Sequence, residues 1–406
     1  MKSGKPHIYF LGIGGIGMSA LARYYKNLGY EVGGYDLTPS ALTHELEKEG
    51  IQIHYQEDTT KIPANTEMVV YTPAIPADNA ELIYCNENHK TIKRAELLGN
   101  ISRQYKTIAV AGTHGKTSIS ALTAHLLKSA NKEVTAFVGG ITKNYHSNLI
   151  LSQQTEAFVV EADEFDRSFL RLHPQVAIIS SMDADHLDIY EDHESLKSTF
   201  LLFAKQVDPL GVLIHHIDLE SSLGEIPNRL TYGISANAEV RATDIRIQNH
   251  RFVFNIEATE LSIKDVNLQV PGMHYIENAL AAVAAVRQFG LPSEQIKAGL
   301  MSFTGVERRF EIRTTGGTKI LIDDYAHHPE EIRVTIDAVK KLYPGKKILG
   351  LFQPHLFSRT RDFANEFAFS LAPLDTVALL PIYPAREKPI PGITSEIILE
   401  KMTHND

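Results

Sequence analysis

The chain has 406 residues, 43% of them apolar, with 40 Lys and Arg against 49 Asp and Glu, a formal net charge of -9. That length fits several globular domains, and the acidic balance argues against a nucleic-acid or anionic-membrane partner. A single cysteine, Cys85, excludes an internal disulfide framework and a Cys-rich zinc site, and fits a reducing cytoplasm. No apolar run approaches the length of a membrane span.

The first segment, about 1–100, alternates strand and helix. His7 to Leu11 reads as a buried strand, Met18 to Leu28 as a helix, and Glu31 to Tyr35 and Met68 to Tyr71 as further strands. Lys2 and Lys5 before an apolar stretch loosely resemble a secretory signal, but glycines at 12, 14, 15 and 17 interrupt it. Their spacing, Gly12-x-Gly14-x-x-Gly17 between a strand and a helix, is that of a diphosphate loop. Asp36, after the next strand, is placed to accept from a ribose hydroxyl. The motif alone does not distinguish a dinucleotide from another nucleoside diphosphate, so a dinucleotide-dependent oxidoreductase is one reading.

The second segment, about 101–304, opens with a strand, Thr107 to Ala111, that runs into Gly112-Thr113-His114-Gly115-Lys116-Thr117 and a helix, Ser118 to Lys128. This is a second phosphate loop. Its N–H groups can cradle phosphates, Lys116 can reach the terminal one, and the Thr117 hydroxyl can ligate magnesium. Val110 stands where the common form of the loop has its first glycine. The strands Ala157 to Val160 and Val176 to Ser180 end in Glu161, Asp163, Glu164 and in Asp183, Asp185, His186, Asp188. Hard oxygen ligands beside a phosphate loop suit magnesium, and strand carboxyl ends are where open α/β sheets bind ligands. From Arg229 to Val270 the pattern becomes short alternating strands, a small β extension. Tyr275 to Phe289 is an Ala-rich helix.

The third segment starts near Gly305. Strands are expected at Lys319 to Ile322, Lys347 to Phe352 and Val377 to Leu380, and a helix at Glu330 to Leu342. Arg308-Arg309 and Asp323-Asp324-Tyr325-Ala326-His327-His328 sit at its beginning. An arginine there can clamp phosphate oxygens. The paired histidines lack further zinc-type ligands at suitable spacing, which favours substrate or nucleotide contact over metal.

Together these residues resemble the Mur ligase family. AGTHGKTS (111–118) is similar to its ATP loop, EADEFDRSFL (161–170) and DADHLD (183–188) to its metal-site motifs, and HYIENALAA (274–282) to its adenine-contact helix. GVERRFE (305–311) and DDYAHHPEEI (323–332) are similar to its third-domain junction. GIGGIGMSALA (12–22) is similar to the branch whose first domain grips UDP. FQPHLFSRTRDF (352–363) and YPAREKPIPGITSE (383–396) look like the alanine-adding branch and not the tripeptide-recycling one.

The resemblance implies three α/β domains. A Rossmann-like UDP-sugar domain covers 1–100, a central P-loop ATPase-type domain with a parallel sheet covers 101–304, and a Rossmann-like C-terminal domain, shorter than the family's, covers 305–406. It implies ATP-dependent amide formation, through an acyl phosphate, between UDP-N-acetylmuramate and L-alanine in the bacterial cytoplasm, by a monomer or homodimer. Tripeptide recycling and a non-catalytic UDP-sugar-binding protein are the alternatives.

Implied roles follow residue by residue. Gly112, Thr113, His114, Gly115, Lys116, Thr117, Ser118, His274, Asn278, Arg309 and Asp324 would bind ATP. Gly14, Gly15, Gly17, Met18, Asp36, Thr72, Pro73 and His114 would bind the UDP-sugar. Thr117, Glu161 and His186 would hold magnesium, two ions in all. Lys116, Glu161, His186, His327 and His328 would be catalytic, and His355 and Arg359 would touch the amino acid or substrate. Two departures accompany the likeness. No lysine closely matches the carbamylated metal-bridging lysine of sister ligases, Lys197 coming nearest, and Leu356 stands where the family often has arginine.

Overall fold

The computed structural model of the chain describes residues 5–183, 190, 192–314, 318–385 and 387–403. The N-terminal part is a five-stranded parallel sheet. Its strands are β1 (His7–Leu11), β2 (Glu31–Tyr35), β3 (Gln52–His54), β4 (Thr66–Tyr71) and β5 (Thr91–Lys93), in the order β3-β2-β1-β4-β5. Helices α1 (Ile16–Asn27), α2 (Ala41–Lys48), α3 (Ala80–Asn88) and α4 (Arg94–Ser102) connect them. The central β1, HIYFL, is buried at every position, as a parallel strand covered on both faces requires. Strand order reverses between β1 and β4. Their carboxyl ends therefore frame a crevice, into which the Gly12 turn and Thr72 both project.

The central part is a ten-stranded sheet. In chain order its strands are β6 (Lys106–Ala111), β7 (Val134–Thr142), β8 (Ser147–Ile150), β9 (Ala157–Glu161), β10 (Val176–Ile179), β11 (Val212–His216), β12 (Arg229–Gly233), β13 (Val240–Gln248), β14 (Arg251–Ala258) and β15 (Leu261–Asn267). Their spatial order is β15-β14-β13-β12-β11-β10-β6-β9-β7-β8. The strands from β7 to β13 in that row pair in parallel, while β14, β15 and β8 add antiparallel edges. The stretch read as a small β extension is thus continuous with the main sheet. The β7–β8 hairpin was not anticipated, because its Gly139-Gly140 pair breaks the apolar run.

Helices α5 (Lys116–Ser129), α6 (His193–Ala204), α7 (Glu220–Leu223), α8 (Met273–Arg287) and α9 (Ser293–Ser302) complete this part. Helix α8 is buried almost throughout, and its alanines let it lie close against α5 and the sheet. Each large apolar side chain it buries, such as Leu280 or Val283, contributes about 1.5–3 kcal/mol.

The third part is smaller. It has an antiparallel pair, β16 (Glu311–Thr314) with β17 (Leu321–Asp323), and a parallel pair, β18 (Leu349–Phe352) with β19 (Thr376–Leu379). Helices α10 (Pro329–Leu342), α11 (Phe357–Asp362), α12 (Ala364–Leu371) and α13 (Glu396–Thr403) accompany them. Ile332, Ile336, Phe352, Phe367 and Ile398 form its core. Two strands begin about two residues later than their sequence pattern indicates, since Lys319 and Lys347 are exposed and outside the ladder. Among the described residues no helix is long and apolar enough to cross a membrane.

Candidate active site

The second phosphate loop sits where β6 lies between β9 and β10, at the carboxyl ends of all three. Gly112 has φ +130°, and a Cβ there would lie 2.0 Å from Ser180 Oγ, so only glycine fits. The loop is tied to the end of β10: Thr113 N donates to Ser181 O at 3.2 Å and His114 N to Ser181 Oγ at 2.9 Å. Gly115 then caps α5, whose first turn presents free N–H groups and the positive dipole end.

Lys116 Nζ donates to Gly112 O at 2.7 Å and pairs with Glu164, whose side chain is fully buried, at 2.8 Å. Burial opposes the charge, but the Glu164, Asp163 and Glu161 carboxylates hold the ammonium above its usual range. Thr117 Oγ1 donates to Glu161 at 3.0 Å, and Gly139 N donates to the same carboxylate at 2.8 Å. A Cβ on Gly139 would lie 2.3 Å from Glu161 Oε2, so the glycine leaves room for this carboxylate.

The three acids of the run after β9 each meet a different partner. Glu161 faces Thr117, Glu164 lies under Lys116, and Asp163 reaches Arg94 of α4 at 3.5 Å. The divergence has a local cause, because the chain turns sharply just beyond, with Asp166 and Arg167 both at φ +53°. Of the next run, Asp183 stands 3.5 Å from His114 Nε2. Asp185, His186 and Asp188 lie outside the described residues. Lys197 is on the outer face of α6, paired with Glu194 at 3.0 Å.

A cavity of about 530 Å³ opens from this loop. From the central part it takes Lys116, Thr117, Ser118, Glu161, His274 and Asn278, and from the third part Arg309, Asp324, His327 and Glu331. Asn278 packs its amide oxygen against Gly115. His274 Nδ1 is buried with no hydrogen-bond partner among the described residues, and burial pushes this imidazole down to about 4. It is a neutral ring with an unused polar atom at the cavity wall. Asp324 accepts from Phe310 N at 2.8 Å and Ala326 N at 2.7 Å. Burial nonetheless pushes its carboxyl up to about 6.

His328 caps α10, and its ring lies 4.9 Å from that of His114. His355 stacks on Tyr383 at 5.6 Å and meets His327 at 5.9 Å. His355 and Arg359 do not line the cavity, and Arg359 is only 7% exposed. Leu356, also buried, immediately precedes α11, at φ +72°. Three contributors were missed in the sequence. They are Arg94, which lies over Gly17 and reaches Asp163 beyond β9, the His216–Glu277 pair at 3.1 Å, and Glu331. Only Glu331 had a local signal, the cap spacing after His328.

The first loop is built differently. Gly14 N donates to Asp36 Oδ2 at 2.7 Å, and Thr38 N to Oδ1 at 3.2 Å. Part of the acceptor capacity assigned to a ribose is thus spent on closing the loop itself. The side chain of Met18, read as a nucleotide contact, is 2% exposed and packed in the core. Only its backbone, in the first turn of α1, belongs to the loop. Thr72 and Pro73 follow β4 opposite Gly12.

Two glycine turns at sheet switch points, one carrying a lysine, a hydroxyl and a carboxylate, define a multidomain α/β nucleotide-binding protein. The chain belongs to the Mur ligase family. Residues 7–106 match the model described as Mur ligase family, catalytic domain, residues 110–286 the Mur ligase middle domain, and residues 308–406 the Mur ligase, glutamate ligase domain. It is 47% identical to a UDP-N-acetylmuramate--L-alanine ligase of Flavobacterium johnsoniae, over 98% of this chain and 88% of that protein. The protein of that name from Parabacteroides distasonis is 47% identical, over 98% of this chain and 87% of its own length. A crystal structure of UDP-N-acetylmuramate-alanine ligase from Thermotoga maritima superposes with a TM-score of 0.82 at 28% identity, covering 98% of this chain and 88% of that one.

Proposed function

We propose that this protein joins L-alanine to UDP-N-acetylmuramate with ATP as co-substrate, a step of peptidoglycan precursor synthesis in the bacterial cytoplasm. The observation that carries the reading is the 47% identity, over 98% of the chain, to ligases of that name. The cavity shared by the central and third parts supports it. In this reading residues 1–100 bind the UDP-sugar, 101–304 bind ATP, and 305–406 close over both and receive the amino acid.

A carboxylate is a poor electrophile and must be activated. In the proposed chemistry a muramyl carboxylate oxygen attacks the γ-phosphorus of ATP. The bond to ADP breaks and an acyl phosphate forms. The neutral amine of alanine then attacks the acyl carbon, loses a proton to a base, and expels phosphate. Lys116 would meet the γ-phosphate, its ammonium leaving Glu164 to do so. The N-terminal turn of α5 would hold the phosphates, with His274 and Asn278 at the base. Arg309 and Asp324 would contact ATP from the third part.

Thr117 and Glu161 fit a magnesium ion, since a hydroxyl and a carboxylate, both hard oxygen donors, converge within 3.0 Å beside the phosphate loop. His186 is proposed to help hold a second ion. Bound magnesium would supply screening of the phosphate charge. For the amine proton, His327 has suitable chemistry. Burial holds its pKa below the usual value, and Nδ1 donates to Tyr325 O at 2.8 Å, which leaves Nε2 to accept.

The test is phosphate release from ATP and magnesium, with UDP-N-acetylmuramate present and each amino acid supplied in turn. The expected result is release that needs both the UDP-sugar and L-alanine, with the mass of UDP-muramyl-alanine appearing. Release that depends on a different amino acid or on a tripeptide would overturn the substrate assignment.

A further inference from the structure

Glu331 stands at the third residue of α10, 217 positions from the phosphate loop it touches. Its Oε1 accepts from His114 Nδ1 at 3.3 Å. Its Oε2 accepts from the backbone N–H of His327 at 3.0 Å and of His328 at 3.3 Å. Arg309 NH1 lies 3.9 Å from Oε1, and the His327 ring nitrogen 3.3 Å from Oε2. The carboxylate is 17% exposed and lines the cavity.

A carboxylate facing a site for a triphosphate is electrostatically unfavourable unless its charge is already engaged. Here it is engaged on every side, by one group of the phosphate loop and several of the third part. Capping α10 needs only the backbone contacts, for which a neutral glutamine suffices. The reach to His114 and Arg309 goes beyond capping. His114 in turn has Asp183 at its other nitrogen, 3.5 Å away, so the ring bridges the two parts.

We propose that Glu331 is a positioning residue that latches the third part onto the phosphate loop through His114 and sets Arg309 towards the nucleotide phosphates. This rests on the ATP assignment of the cavity made above, and deepens it. Glu331 touches neither phosphate nor substrate. It acts by holding the groups that do, so its loss shows first in nucleotide binding that depends on both parts being docked.

Glu331→Gln separates the two roles, because glutamine keeps the helix cap and loses the charge. The measurement is calorimetric binding of a non-hydrolysable ATP analogue with magnesium to the full chain, in wild type, E331Q, H114A and the double variant. E331Q is expected to weaken binding about tenfold in the wild-type background and only about threefold in the H114A background, the remainder being the share set through Arg309, with an unchanged melting temperature. Equal losses in both backgrounds, or no loss in either, would overturn the latch. Glu331→Ala, which also loses the cap, is expected to lower the melting temperature as well. Because the binding cycle needs no turnover, it stands apart from the ligation assay. Wild type that binds the analogue but makes no amide would count against the reaction and leave the latch decided by the cycle. Wild type that binds no analogue overturns both.

Discussion

The two glycine loops invite comparison. Each follows a fully or largely buried parallel strand, each opens a helix, and each lies where strand order reverses in its sheet. At the first, Asp36 is bonded to the loop's own Gly14 N–H, and Arg94 lies over Gly17. At the second, Lys116, Thr117 and Glu161 converge on the open end of the turn. A glycine turn on a helix N-terminus is enough to grip an anion. Chemistry on that anion needs further charges brought from other strands. In the proposed reading the first loop holds a nucleotide, and the second holds one and reacts it.

The largest effect that would break this contrast lies at Lys116. Lys116→Ala is expected to lower turnover by about 10²–10³-fold or more. It also removes the Lys116 ion pair of the buried Glu164 carboxylate, at a cost of about 3–5 kcal/mol in stability. Adding Glu164→Gln should restore much of the melting temperature and none of the phosphate release. Near-native turnover in K116A would remove the reactive role of this loop.

Glu161→Gln should rank next. It is expected to raise the magnesium concentration needed for half-maximal turnover while the fold persists, since the Gly139 N–H still has an oxygen to meet. A magnesium titration that superposes on wild type would place the ion elsewhere.

On the first loop, Gly14→Ala puts a Cβ 2.6 Å from Thr43 Cγ2 and 2.8 Å from Asp36 Oδ2. Overpacking of this kind costs about 1–3 kcal/mol. Binding of the UDP-sugar should weaken while binding of an ATP analogue is unchanged. Asp36→Ala should act in the same direction, losing two backbone hydrogen bonds worth about 1 kcal/mol each. If ATP affinity falls in either variant, the nucleotides belong to the opposite loops.

The smallest effect concerns pH. The His274 imidazole is pushed by burial down to about 4, below its unfolded value of 6.5. Between those values the unfolded chain binds more protons than the folded one. The stability due to the neutral ring is fully present above pH 6.5 and is lost as pH falls towards 4. Thermal melts of wild type and His274→Asn should therefore converge on acidification across that window. Parallel curves would mean that the ring is not held neutral by burial.

Much of this architecture was legible because its signals are local. Strand β1 declares itself as a short apolar run, and α8 as an Ala-rich helix. Both glycine turns announce the backbone angles they need. The same locality explains the misses. Met18 looks like part of the loop, yet helical geometry turns its side chain into the core. Glu161, Asp163 and Glu164 look like one cluster, yet the turn beyond β9 sends them to three different partners. The β7–β8 hairpin hides behind two glycines, one of which exists to make room for Glu161.

By itself the sequence determined the element types, the two phosphate turns, the three-part order and the family likeness, because each depends on residues within a few positions of one another. Only the tertiary structure decided which of the many acids and histidines act together. Glu331 meets His114 across 217 residues, and Arg94 meets Asp163 across 69. Such pairings depend on how sheets order their strands and how the parts dock, and no local pattern of side chains encodes that.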